Sequence, residues 1–194
     1  MLNLLWLLII IALVGMLIWY FNGGGSGGSS NKTPGVRQPT IFTLKLGDIV
    51  QYDDNDWVIE DKLTYNEDGW EWVEYLLQDG DRIGFLSVDD DDTLEVSFTE
   101  TVKDCPVENP PGAEIIYRQK IYNRDESGTA TLTRQRKPGV KETCKYYDYK
   151  GPGDAVLSVE QWSGQTEVSV GVTVRPYQLT FLPGDGSSVY RSDV

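Results

Sequence analysis

Between residues 41 and 182 the chain is a succession of short β-rich runs, each stopped by turn residues. That alternation confines the region to an all-β architecture. Candidate strands occupy residues 48–52, 57–63, 70–77, 82–88, 94–99, 115–123, 129–134, 143–149, 155–162, 166–174 and 177–182. Between them stand Asp68-Gly69, Asp79-Gly80, Ser127-Gly128, Gly151-Pro152-Gly153 and Ser163-Gly164. No window here carries a long apolar stripe at helical spacing. The expected fold is a sandwich or a partly open barrel.

The runs contain a repeat. Leu86-Ser87-Val88-Asp89 followed by Glu95-Val96-Ser97 recurs as Leu157-Ser158-Val159-Glu160 followed by Glu167-Val168-Ser169, at offsets of 71 and 72. The expected organisation is two pseudo-repeated β-meander halves, residues 44–101 and 113–183, with a groove between them. The segment 102–112, with Pro106, Pro110 and Pro111, marks the boundary.

Ahead of this domain, residues 2–21 carry no charge and one strongly polar side chain, Asn3. A helix of that length spans about 30 Å, the hydrocarbon thickness of a bilayer. Trp6 stands near one end and Trp19 and Tyr20 at the other, where aromatic rings favour the interface. Residues 1–21 are therefore expected to form one transmembrane anchor, and residues 22–43 a flexible Gly/Ser/Pro linker. Residues 184–194 read as a loose tail. Lys32, Arg37 and Lys45 follow the run and no basic residue precedes it. The positive-inside rule then places the soluble domain in the cytoplasm. In that compartment Cys105 and Cys144 are reduced; in an exported domain they would be candidates for a disulfide.

Net charge is -13, which disfavours nucleic acid and anionic lipid surfaces as partners and favours cations. The chain has no histidine. That removes Ser-His-Asp and Cys-His catalysis and His metal ligation. Two cysteines without a CxxC spacing cannot complete a zinc site. No phosphate-binding glycine loop occurs. No cofactor, metal site or catalytic residue is expected, and the chain reads as a non-enzyme.

The candidate ligand or partner site is Trp70, Trp72, Glu74, Glu160 and Trp162. In a strand, Trp70, Trp72, Glu74 and Leu76 share one face, which sets an acid among apolar neighbours. Such a carboxylate must be paired, hydrogen-bonded or protonated. It serves either as a clamp for a cationic group or as the structural partner of a base such as Arg82. Glu160 shares a face with Ser158 and Trp162 and has the same two readings. Asp89-Asp90-Asp91-Asp92 lacks the alternation a calcium loop needs and reads as a solvated hairpin tip.

The segments Gly47-Asp48-Ile49-Val50, Trp57-Val58-Ile59, Trp72-Val73-Glu74-Tyr75-Leu76-Leu77 and Phe85-Leu86-Ser87-Val88 resemble a bacterial family, domain of unknown function 4178. So do Tyr147-Asp148-Tyr149, Leu157-Ser158-Val159-Glu160-Gln161-Trp162 and Glu167-Val168-Ser169-Val170-Gly171. The resemblance implies an accessory protein of a bacterial membrane, in some cases encoded beside envelope-stress or polyamine-synthesis components. It implies no established activity. The leading expectation is a membrane-tethered, non-catalytic β-domain with a protein partner. One alternative is a sensor of a cationic small molecule such as a polyamine, and another is an enzyme working through carboxylates alone.

Overall fold

The computed structural model describes residues 37–190. The expected anchor and the linker up to residue 36 lie outside the described residues. No helix among the described residues is long and apolar enough to cross a membrane.

Eleven strands form one antiparallel sheet: β1 Ile49–Tyr52, β2 Asn55–Glu67, β3 Trp70–Asp79, β4 Arg82–Asp90, β5 Leu94–Thr101, β6 Glu114–Tyr117, β7 Lys120–Arg134, β8 Lys137–Lys150, β9 Ala155–Trp162, β10 Gln165–Thr173 and β11 Thr180–Leu182. The order is β11-β1-β2-β3-β4-β5-β10-β9-β8-β7-β6, and β2 also pairs with β7. That pairing closes eight strands, β2-β3-β4-β5-β10-β9-β8-β7, into a ring. The fold is thus a closed barrel rather than a sandwich or an open one, and the expected groove between halves is replaced by a lumen. Closure leaves no free edge within the ring.

Each half contributes a short hairpin strand and four ring strands: β1 to β5, then β6 to β10. The halves meet at two seams. At one, Leu63 pairs with Arg134 and Tyr65 with Leu132. At the other, Ser97 pairs with Thr173 and Thr101 with Ser169, so exchanging the halves reproduces the pairing.

Both faces of the ring are covered, which explains why its strands are apolar on alternate and adjacent positions alike. Outside the first half, Trp57, Ile59, Tyr75, Leu77, Leu86 and Phe98 pack under Ile41, Leu44, Val174 and Leu179. Outside the second, Tyr149, Leu157, Val159 and Val168 pack under Ile115, Tyr117 and Tyr122. Burying one such side chain is favourable by about 1.5–3 kcal/mol. Inside the ring, Leu63, Leu76, Phe85, Leu132 and Cys144 form a third cluster, with Ile83 and Trp162 against it.

Several boundaries differ from the expected ones. The run 115–123 is a hairpin, not a strand, because Arg118 and Gln119 take left-handed backbone angles of 47° and 64° in φ. Such a turn suits the twist of paired strands and usually announces itself with Gly or Asn. The linker ends before residue 43, since Ile41 belongs to the core. Up to residue 190, the tail is tied down rather than loose: Gly184 N–H donates to Asp48, and Val189 and Tyr190 N–H donate to Glu60. Cys105 and Cys144 are both free thiols.

Candidate functional site

One end of the lumen is filled and the other is open. In the first half Leu76 pairs with Phe85, and both plug the interior. The equivalent pair of the second half is Lys150 and Val156, at the opposite end of the ring. There the lumen holds a cavity of about 720 Å³, lined from all eight ring strands and opening beside the β4–β5 turn. Eight strands enclose about enough space for one small ligand when side chains do not fill it.

The cavity is acidic. Glu74 lies in the β3 row opposite Ser87, and Ser87 lies opposite Ser97. In the second half Asp148 lies opposite Ser158, and Ser158 opposite Ser169. All six line the cavity. Asp89 follows Ser87 by two residues, as Glu160 follows Ser158, so each half places two carboxylates and two serines in the same pattern.

Glu74 and Glu160 converge at the floor. Tyr65, fully buried on β2, reaches Glu74 Oε2 at 3.1 Å and Glu160 Oε2 at 3.0 Å. Trp72 stacks on Tyr65 with ring centroids 5.0 Å apart and meets Tyr146 edge-on at 5.2 Å. Burial pushes the Glu74 carboxyl up to about 7, with the Asp148 charge adding to it and bonds from Tyr65 and Ser87 opposing it. Burial also raises Glu160 well above the usual range, helped by Glu74. Asp148 rises to about 6, chiefly through burial, against a bond from Ser158.

Asp89 lies toward the mouth; burial raises its carboxyl, Asp91, Glu95 and Glu126 add to the effect, and a bond from Trp70 opposes it. Its Oδ1 is buried with no hydrogen-bond partner among the described residues. The basic side chain at this cavity is Lys150, whose Nζ is held by Asp125 at 2.8 Å. Among the described residues, no three acidic or thiol side chains converge closely enough to hold a metal ion.

Of the residues singled out in the sequence, Trp70, Trp72 and Glu74 line this cavity, with Trp70 partly exposed at the mouth. Glu160 joins them through Tyr65. Trp162 lies apart, under Arg134 at 5.5 Å and against a second cavity of about 520 Å³ beside the 101–109 segment. Arg82 does not pair with Glu74: it bonds Glu100 at 2.8 Å and covers the face of Trp57. Of the four aspartates, Asp90, Asp91 and Asp92 are exposed at the hairpin tip. The sequence reading missed Tyr65 and Asp148. Asp148 stands between two tyrosines and Tyr65 between Thr64 and Asn66, and the register that turns them inward is a long-range property.

Fold and site together define an antiparallel β-barrel with an acidic, one-ended lumen. The chain belongs to the family described as Domain of unknown function (DUF4178), whose profile matches residues 45–176. It is 29% identical over 175 residues to uncharacterized proteins of Mycobacterium tuberculosis and Mycobacterium bovis, covering 78% of this chain and 84% of each relative. No solved structure matches the chain.

Proposed function

We propose that this protein is a non-catalytic binding barrel, held at a bacterial membrane by residues 2–21, whose lumen takes a cationic small molecule. The observation that carries the reading is the set Glu74, Asp148 and Asp89 lining one cavity, with Glu160 joined to Glu74 through Tyr65 and the basic residue, Lys150, already paired. Desolvated carboxylates without cationic partners are unfavourable when charged. An ammonium group supplies the missing partner, and Trp72 with Tyr146 adds an apolar and cation–π wall. An accessory role follows if the filled barrel engages a protein partner. The N-terminal segment would keep the barrel close to the membrane, on its cytoplasmic side.

Spermidine is a suitable probe. Ligand that binds only the folded state raises its stability in proportion to the logarithm of occupancy. The thermal midpoint of the full-length chain in neutral detergent should rise with spermidine at about 150 mM salt, where diffuse surface attraction is largely screened. The Glu74→Gln/Asp148→Asn double variant should show no rise. A midpoint that does not move in the unmodified chain, or moves equally in the variant, rejects the lumen as the site.

A further inference from the structure

The two halves leave their outer hairpins in different states. The β1–β2 and β6–β7 hairpins close on the same kind of turn, with Asp53 and Asp54 at φ 49° and 59° and Arg118 and Gln119 at 47° and 64°. Tyr52 pairs with Asn55 as Tyr117 pairs with Lys120, so the hairpins correspond residue for residue. Val50 and Ile115 are then equivalent, and both are buried. Gln51 and Asp56 correspond to Ile116 and Ile121. In the first hairpin that outward pair is polar, with Gln51 Nε2 donating to Asp56 Oδ1 at 2.8 Å. In the second it is two isoleucines, 64% and 48% exposed. The edges differ as well. β1 is covered by β11 along Ile49, Val50 and Gln51. The corresponding stretch, Glu114, Ile115 and Ile116, ends the sheet, and no further strand among the described residues pairs with it. Arg124 N–H donates to the Ala113 carbonyl, so along β6 the backbone groups of residues 113, 115 and 117 turn to β7 and those of Glu114 and Ile116 turn to the open edge. An apolar pair beside unpaired backbone groups is the surface on which another strand adds.

We propose that this edge takes the β6 strand of a second copy of the chain, antiparallel about a two-fold axis through the Ile116 pair. Pairing the open-edge groups of both copies centres the axis on Glu114, Ile115 or Ile116. The first choice sets Glu114 against the partner's Glu114, a like-charge pair. The second sets Glu114 against the partner's Ile116. The third sets Ile116 against the partner's Ile116, with Ile121 of each copy alongside, and brings Glu114 opposite the partner's Arg118 in both directions. Only this register matches apolar with apolar and acid with base. Arg118 is exposed, and its contact with Asp104 at 3.6 Å leaves guanidinium donors for a second carboxylate. Each copy has a net charge of -13, but the hairpin itself carries Arg118, Lys120 and Arg124 against Glu114, so the surfaces that meet are not acidic. The contact is isologous and stops at a dimer. Built on one short strand pair, it is weak and reversible.

Disulfide trapping of the full-length chain in neutral detergent tests the proposal, with the unmodified chain as the background for Cys105 and Cys144. Ile116→Cys places two thiols directly across the axis, with Cα atoms about 5.5 Å apart and within bridging range. Glu114→Cys, on the same exposed edge, places them about 14 Å apart along the strands and beyond it. Under mild oxidation Ile116→Cys should give about tenfold or more covalent dimer over Glu114→Cys. In sedimentation, Glu114→Arg should weaken the reversible dimer about fivefold or more, and adding Arg118→Glu should restore it. All three substituted side chains are exposed, and circular dichroism establishes that each variant folds. Equal trapping at the two positions means random collision and overturns the proposal. A dimer unchanged by Glu114→Arg is held elsewhere and also overturns it. A monomer whose Ile116 N–H is protected from hydrogen exchange assigns the edge to a segment of the same chain, and one whose Ile116 N–H exchanges freely leaves the edge open; either result overturns the self-pairing.

Discussion

Glu74 and Glu160, on strands that face each other across the ring, both reach the single hydroxyl of Tyr65, at 3.1 and 3.0 Å. A phenol has one proton to donate. One carboxyl accepts it, and the other completes the contact by holding a proton of its own. The arrangement stores a proton at the floor of the lumen.

That proton sets the pH dependence of stability. Glu74 is raised from 4.5 to about 7, so between those values the folded chain holds a proton that the unfolded chain releases. Its contribution is fully present below about 4.5 and is lost as pH rises through about 7. Asp148, raised from 3.8 to about 6, acts in the same direction. Without ligand, the urea midpoint should fall between about pH 5 and pH 8. Glu74→Gln should flatten that slope and be more stable than the parent at the upper pH, by on the order of 2 kcal/mol. A midpoint that rises with pH in both chains would show that the floor carboxyls are not the groups in control.

The closed and open ends of the lumen differ by a few side chains on equivalent backbone. Phe85 opposite Leu76 fills one end, and Val156 opposite Lys150 leaves the other open. Val156→Phe should therefore stopper the mouth, abolishing the spermidine-induced rise in midpoint while costing about 1–3 kcal/mol of stability at most. If the variant folds and still binds like the parent, the ligand enters elsewhere.

Asp48 ties both ends of the described chain to the barrel. Its fully buried carboxylate accepts from Arg37, Lys45 N–H and Gly184 N–H. Asp48→Ala should cost about 3–5 kcal/mol, because it strands Arg37 and two backbone donors. Denaturant titration measures the loss. A change below about 1 kcal/mol would mean that the terminal segments contribute little to the fold.

The repeat was legible because two short segments, Leu86-Ser87-Val88-Asp89 and Leu157-Ser158-Val159-Glu160, kept their character in both halves. Their serines were visible as repeat members but not as lumen lining. Which face turns inward depends on closure, and closure rests on four residue pairs between 63–66 and 131–134. Contacts that distant leave no local trace. Glu74 stood out because alternation alone sets it among Trp72 and Leu76. Asp148, between Tyr147 and Tyr149, looks like any acid on a strand. The turn at Arg118-Gln119 was hidden because neither residue type announces a left-handed backbone. Pairing of Glu74 with Arg82 fails because Arg82 sits opposite Asp79 at the far end of the hairpin.

The central claim is that a cation occupies the lumen, and the most direct measurement is nuclear magnetic resonance of the full-length chain with selectively labelled Trp and Tyr. In the presence of spermidine, nuclear Overhauser contacts should run from the ligand methylenes to the Trp72 and Tyr146 rings, which line the cavity. Contacts confined to residues beside the exposed Asp90, Asp91 and Asp92, with Trp72 and Tyr146 unchanged, would place the cation on the surface and contradict the account.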